Sequence, residues 1–143
     1  IFPMDLIGPI GGQHFSMALH TTSAAIPLIE RSRRVALSSV PAEQISIAYE
    51  LGKNHNKADL HWSQIPFELT TSPVFGLPIP KFALVVRELD VEGVRALGSH
   101  KLFICRTRAN QIRSQGLQLS FVHGFYEARR QNSVPLIPAT RTA

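Results

Sequence analysis

Of the 143 residues only one, Cys105, is a cysteine, so no intrachain disulfide can close and nothing marks the chain for an oxidising compartment. No apolar run approaches the ~20 residues that a membrane-crossing helix needs. Charged residues make up 17%, too few for a chain kept disordered by its own charge. The glycines form neither a dinucleotide-binding fingerprint nor a phosphate-binding P-loop, which leaves any nucleotide to be held by another device. A Gly-x-Ser-x-Gly elbow is missing too, and Cys105 falls inside a strand-like run, so a hydrolase is not indicated. His14, His20, His55 and His61 have no spacing that reads as zinc ligation, and no metal is expected. There is no internal repeat.

What is present fits one domain of ordinary size. The net charge is +5, but the basic residues are scattered, with local clusters only at Arg31-Ser32-Arg33-Arg34 and Arg129-Arg130. A stripe of basic residues interleaved with exposed aromatics is lacking, so neither a nucleic acid nor a membrane is expected as a partner. A mild positive field of this kind suits a phosphorylated cofactor. No signal peptide opens the chain, and a cytoplasmic setting is the expectation. Ile1-Phe2-Pro3-Met4 reads as the interior of a longer protein, whose upstream segment is expected to carry a strand.

Along the chain, residues 1–12 read as a loop, punctuated by Pro3, Pro9 and Gly11-Gly12. Phe15–His20 alternates as a half-buried strand. Thr22 or Ser23 then caps a helix from near Ala24, with Pro27 in its first turn and Ile26 and Ile29 on its buried face. Val35–Val40 reads as a strand ending at Pro41. A second helix spans Ala42–Leu51 with Gly52 as its cap, and the polar stretch Lys53–Lys57 is a loop. Trp62, Ile65, Pro66 and Phe67 anchor a short strand, Phe67–Thr70, followed by a turn-rich stretch. Pro78–Val91 reads as one long strand stopped at Gly93, pairing with a Leu102–Thr107 strand as a hairpin. Leu117–Tyr126 alternates strongly as a last strand, and beyond Arg130 the tail is loose or lies on a partner chain. Short strands with two small helices predict a mainly β barrel with helical insertions rather than a doubly wound sheet.

One segment carries the most information. Ala96-Leu97-Gly98-Ser99-His100-Lys101-Leu102-Phe103-Ile104 sets a histidine in a glycine-marked turn just ahead of an alternating strand. Together with the opening Ile1–Leu6, the Leu19-His20-Thr21-Thr22-Ser23 turn, Val35–Pro41 and the closing Val122–Tyr126, this turn resembles the flavin reductase family of FMN-binding split β-barrels. The resemblance runs from Ile1 to about Tyr126, with residues 1–130 as the domain and 131–143 as the tail. It implies a protein that binds FMN and passes a hydride from NADH or NADPH to the flavin. The partners implied are a second copy of the chain, as a homodimer, and a small-molecule or flavin acceptor, including a partner monooxygenase. The alternative is a flavin-carrier module of the same fold without turnover.

The same resemblance distributes the roles. Pro3, Met4, Asp5 and Leu6 would lay backbone amides against the flavin's pyrimidine edge, although the family's small polar residues are here largely replaced by apolar ones and Asp5. Thr21, Thr22 and Ser23 offer hydroxyls and helix N-terminal N–H groups to the phosphate; by themselves they read as a plain helix cap. Lys53 or Lys57 would add a cation, or is simply a solvated loop residue. His100 would face the nicotinamide or flavin with an imidazole suited to neutral pH, where a bare reading of the residues gives a ring that satisfies a turn carbonyl. His123 reads as a core or interface histidine.

Overall fold

The computed structural model describes residues 7–52 and 65–119. Its main element is a five-stranded antiparallel sheet in the order β1-β2-β7-β6-β3. Here β1 is Ile7–Gly11, β2 His14–His20, β3 Arg34–Ser38, β6 Val85–Leu97 and β7 His100–Ile112. A second sheet pairs β4, Leu69–Thr71, with β5, Pro78–Pro80. Two helices, α1 (Ala25–Ser32) and α2 (Ile45–Gly52, preceded by a 3-10 turn at Ala42–Gln44), complete the described elements. The architecture is mainly β with short helical insertions, as the sequence predicts.

Strand alternation gives the large sheet two faces. Phe15, Met17 and Leu19 of β2 lie in register with Cys105, Phe103 and Lys101 of β7. Their apolar members join Leu89 and Val91 of β6 in one core under Ile26 and Ile29 of α1. Burying those two isoleucines contributes on the order of 1.5–3 kcal/mol each, and their i, i+3 spacing turns both to the sheet. Among the described residues the opposite face is covered at one end only. There Val86 packs with Ile79 and Ala83, beside Ala36, so the β4–β5 unit shields the lower half. At the upper half Ser16, Ala18, Leu102 and Ile104 are half-buried.

Several boundaries differ from expectation for identifiable reasons. Residues 7–11 form β1 rather than loop, because Pro9 needs no donor partner on a strand that, among the described residues, pairs with β2 alone; Gly12, at φ +56°, then makes the turn with Gln13. Pro78–Val91 is two strands, since after Pro80 the chain turns (the Ala83 N–H donates to the Pro80 carbonyl at 3.1 Å) and enters the other sheet at Val85. Gly93 does not stop β6. It lies at a bulge between Val91 and Gly93 that the strand absorbs, and β6 and β7 both run 13 residues. The hairpin is closed at Gly98-Ser99, with Gly98 at φ +55° in the first loop position, as a type II′ turn demands. The N-cap of α1 is Ala24, without a side-chain cap bond, rather than Thr22 or Ser23. Arg33 ends that helix in the left-handed region, its N–H donating to the Ile29 carbonyl at 2.8 Å. β3 is two residues shorter at its far end than the expected Val35–Val40, and β4 begins at Leu69 rather than Phe67. Of the expected Leu117–Tyr126 strand, residues 117–119 are described, and there Gln118 makes an isolated bridge to Pro41. No helix among the described residues is long and apolar enough to cross a membrane.

Candidate functional site

The half of the outer face that no other described residue covers ends in a corner where two turns meet. β2 and β7 are paired so that His20 stands directly opposite His100. Because cross-strand partners share a face, both imidazoles project on the outer side, beyond Ala18 and Leu102 in the same register. The rings meet edge to face, with centroids 5.4 Å apart and planes at 74°. The β6–β7 turn is tied to the turn after β2 by the Thr21 N–H, which donates to the Ser99 carbonyl at 2.9 Å. Below this corner Lys101 Nζ reaches Glu30 Oε1 on α1 at 2.6 Å, which pins the hairpin tip to the helix on the inner face.

The side-chain chemistry of the corner is defined by two short bonds. His20 Nδ1 lies 2.8 Å from Thr22 Oγ1 and accepts the Thr22 backbone N–H at 3.2 Å. An amide can only donate, so Nδ1 carries the lone pair, the hydroxyl donates to it as well, and the ring proton sits on Nε2. His100 Nδ1 shares a bond with Ser99 Oγ at 2.9 Å. Thr21, Thr22 and Ser99 are exposed, while Ser23 and His100 are partly so.

The expected cluster of free amides at the helix start is not what the turn offers. The Thr21, Thr22 and Ser23 amides donate to the Ser99 carbonyl, the His20 ring and the His20 carbonyl. Ala25 N–H goes to Ser23 Oγ at 3.3 Å and Ile26 N–H to the Ser23 carbonyl at 3.2 Å, and Pro27 has no N–H to give. The side-chain donors that the turn after β2 offers an anion are the Thr21 and Ser23 hydroxyls and the His20 imidazole edge.

Thr21, Thr22, Ser23 and His100, far apart in sequence, are thus brought to one corner. Pro3, Met4, Asp5 and Leu6, and Lys53 and Lys57, lie outside the described residues, as does His123. His20 is not marked as a site residue by the sequence pattern; a Ser or Thr turn after a strand says nothing of which residue faces it across a sheet, and only the β2–β7 register reveals the pair. Cys105 is fully buried, and burial, followed by the charges of Glu92 and Asp90, pushes its thiol up to about 11. At neutral pH it is a packed apolar group rather than a nucleophile. His14 lies 3.8 Å from Glu92 at the far end of β2, and no group of three or more His, Cys, Asp or Glu among the described residues could hold a metal ion.

Solved structures share this architecture. The FMN-binding protein from Thermus thermophilus, crystallised with p-hydroxybenzaldehyde, superposes with a TM-score of 0.67 at 24% identity, covering 78% of this chain and 63% of that one. This chain therefore spans less than two thirds of the Thermus protein's length. The styrene monooxygenase flavin reductase from Pseudomonas putida matches with a TM-score of 0.65 at 19% identity, over 82% of this chain and 74% of that one. An NADH:FAD oxidoreductase from Streptomyces globisporus gives 0.69 at 12% identity, over 83% and 76%. The shared fold is the FMN-binding split barrel. No curated protein matches the sequence. The sequence itself matches the flavin reductase like domain over residues 13–130, a stretch that holds both turns of the corner, and the chain belongs to that family.

Proposed function

We propose that this protein binds FMN at the corner between the β2 and β6–β7 turns and serves as a flavin reductase, taking a hydride from NADH or NADPH. The observation that carries the reading is the convergence of Thr21, Thr22, Ser23, Ser99, His20 and His100 at the open end of one sheet face. The donor set fits a phosphate monoester: the hydroxyls of the turn after β2 and the His20 imidazole N–H are hydrogen-bond donors, and no carboxylate is bonded to either ring among the described residues. Behind it, Gly8, Ser16 and Ala18 occupy outward positions of β1 and β2, and a Cβ built on Gly8 meets nothing within 4 Å. That leaves room for a flat ring to approach the sheet.

The flavin supplies the redox chemistry when bound. The chain's part is to fix one face of the ring against the sheet, to hold the phosphate by its hydroxyls, and to present His100 where the two-electron donor approaches. Ser99 restrains the His100 ring through Nδ1, which leaves Nε2 as the edge that can donate or orient. The amides of residues 3–6 and a cation from Lys53 or Lys57 would complete the site.

A homodimer follows from the same picture. Among the described residues β1 and β3 each have a single neighbour in the large sheet, and Leu97 and Ile10 are more than half exposed; a second copy would cover such edges. Sedimentation should show the dimer, and a monomer that binds FMN stoichiometrically would remove the interface from the site. The onward acceptor is a small molecule or free flavin passed to a partner monooxygenase, as the name of the styrene monooxygenase flavin reductase of Pseudomonas putida suggests.

The deciding measurement is an absorbance spectrum of the purified protein with FMN, before and after anaerobic NADH or NADPH. Bleaching of a bound flavin supports the reductase. A bound flavin that pyridine nucleotide leaves oxidised would instead make the protein a flavin carrier.

A further inference from the structure

We propose that His20 makes phosphate capture at this corner proton-linked: the neutral ring holds the Thr22 hydroxyl and amide to itself, and the protonated ring turns them outward to an anion. This rests on reading the corner as the flavin phosphate site. In the neutral state Nδ1 accepts from both the Thr22 N–H and the Thr22 hydroxyl, so Thr22 offers a phosphate only lone pairs, which a phosphate dianion cannot use. A proton on Nδ1 reverses the bond. The ring then donates to Thr22 Oγ1, the hydroxyl proton is free to swing outward, and the amide loses its ring acceptor. One proton thus yields a hydroxyl donor, an amide donor and a positive charge at the place where the anion sits.

The surroundings make the charge depend on the anion. Among the described residues His100 is the other titratable group against the ring, 5.4 Å away on β7, and two charged imidazoles there would repel. Lys101 of β7 and Glu30 of α1 neutralise each other on the inner face. Arg95 of β6, in register with Leu102, stands on the same outer face as the pair. No carboxylate among the described residues is bonded to His20 to hold its proton, so a bound phosphate is the group that would. His100, by contrast, has its Nδ1 on a hydroxyl of the neighbouring turn residue and captures no amide. The proton-linked element is therefore His20.

The test compares FMN with riboflavin, which lacks the phosphate, by calorimetry on the full chain from roughly pH 5.5 to 8, the histidine range. A phosphate monoester itself titrates near pH 6, and His20→Asn retains that contribution while keeping an acceptor for the Thr22 amide that cannot be protonated. The expected result is a ratio of FMN to riboflavin affinity that falls with rising pH by roughly 10-fold more in the wild type than in His20→Asn. In the wild type, FMN should also raise the titration midpoint of the His20 ring followed by NMR. Parallel pH profiles in the two proteins, or a His20 titration that FMN leaves unmoved, would overturn the proposal while leaving the flavin site intact. Failure of both flavins to bind at any pH would overturn the flavin site and this inference with it.

Discussion

The two ends of the sheet's outer face solve the same problem in opposite ways. At the covered end Glu88 of β6, with no exposed surface, accepts the Phe75 amide at 2.6 Å and the Val74 amide at 2.9 Å. At the open end His20 accepts the Thr22 amide in a bond that water can reach. Each knot uses a side-chain acceptor to capture the backbone of a neighbouring turn. Burial separates them: a carboxylate shut under the β4–β5 unit cannot let go without leaving polar groups unpaired in a dry interior, whereas an exposed imidazole exchanges its partners for solvent or ligand at little cost. Stability is therefore concentrated at Glu88 and exchangeable chemistry at His20 and His100.

The hardest test of this contrast is Glu88→Ala. It removes the acceptor of two amides and leaves a cavity, and should lower stability by about 3–5 kcal/mol in urea unfolding. Glu88→Gln keeps one oxygen for Phe75 and should cost roughly 1–2 kcal/mol. A loss below ~1 kcal/mol for the alanine variant would mean that the turn at 74–75 finds other acceptors, and the covered end would no longer differ in kind from the open one.

At the open end His100→Ala should leave the fold intact, since Gly98 and Ser99 already define the turn. Flavin reduction should slow by roughly 10- to 1000-fold, the scale for a positioned acid–base or electrostatic group, with FMN affinity little changed. Anaerobic stopped-flow at the wild-type rate would reduce His100 to a turn residue. Next in size is Thr22→Ala combined with Ser23→Ala. Loss of charge-assisted hydrogen bonds should weaken FMN by about 1–3 kcal/mol and riboflavin far less; equal losses for the two would make the turn a helix start and nothing more.

The contrast was only partly legible in the sequence. Alternation over Phe15, Met17 and Leu19 and the Gly98 turn were readable because a period of two and a positive φ leave marks on single residues. β1 was not, because Pro9 and the Gly11-Gly12 pair obey turn rules locally and only pairing with β2 makes a strand of them. Nor was the passage of β6 through Gly93, since a stop and a bulge use the same residue. Glu88 stood in a strand as a polar residue of the kind that usually faces water; its burial is decided by the β4–β5 unit crossing over it. The hydroxyls of Thr21–Ser23 and the imidazole of His100 were singled out from their local pattern. The opposition of His20 and His100 was not, because register between distant strands is a property of the whole sheet.

The smallest expected effect isolates what an exposed bond contributes. Ser99 Oγ lies 2.9 Å from His100 Nδ1 on an exposed turn, while the bond that joins the two turns uses the Ser99 carbonyl, which substitution leaves in place. Ser99→Ala should therefore change stability by less than about 0.5 kcal/mol, as surface substitutions generally do. The His100 ring, however, loses the partner that orders its two nitrogens, and flavin reduction should slow by roughly 2- to 10-fold with FMN affinity unchanged, a cost of about 0.4–1.4 kcal/mol in the barrel's chemistry and almost none in its folding. Ser99→Thr, which restores the hydroxyl, should recover the rate. If Ser99→Ala instead destabilises the protein as Glu88→Gln does, the open end is built like the covered one, and the division between a rigid and an exchangeable end of the face does not hold.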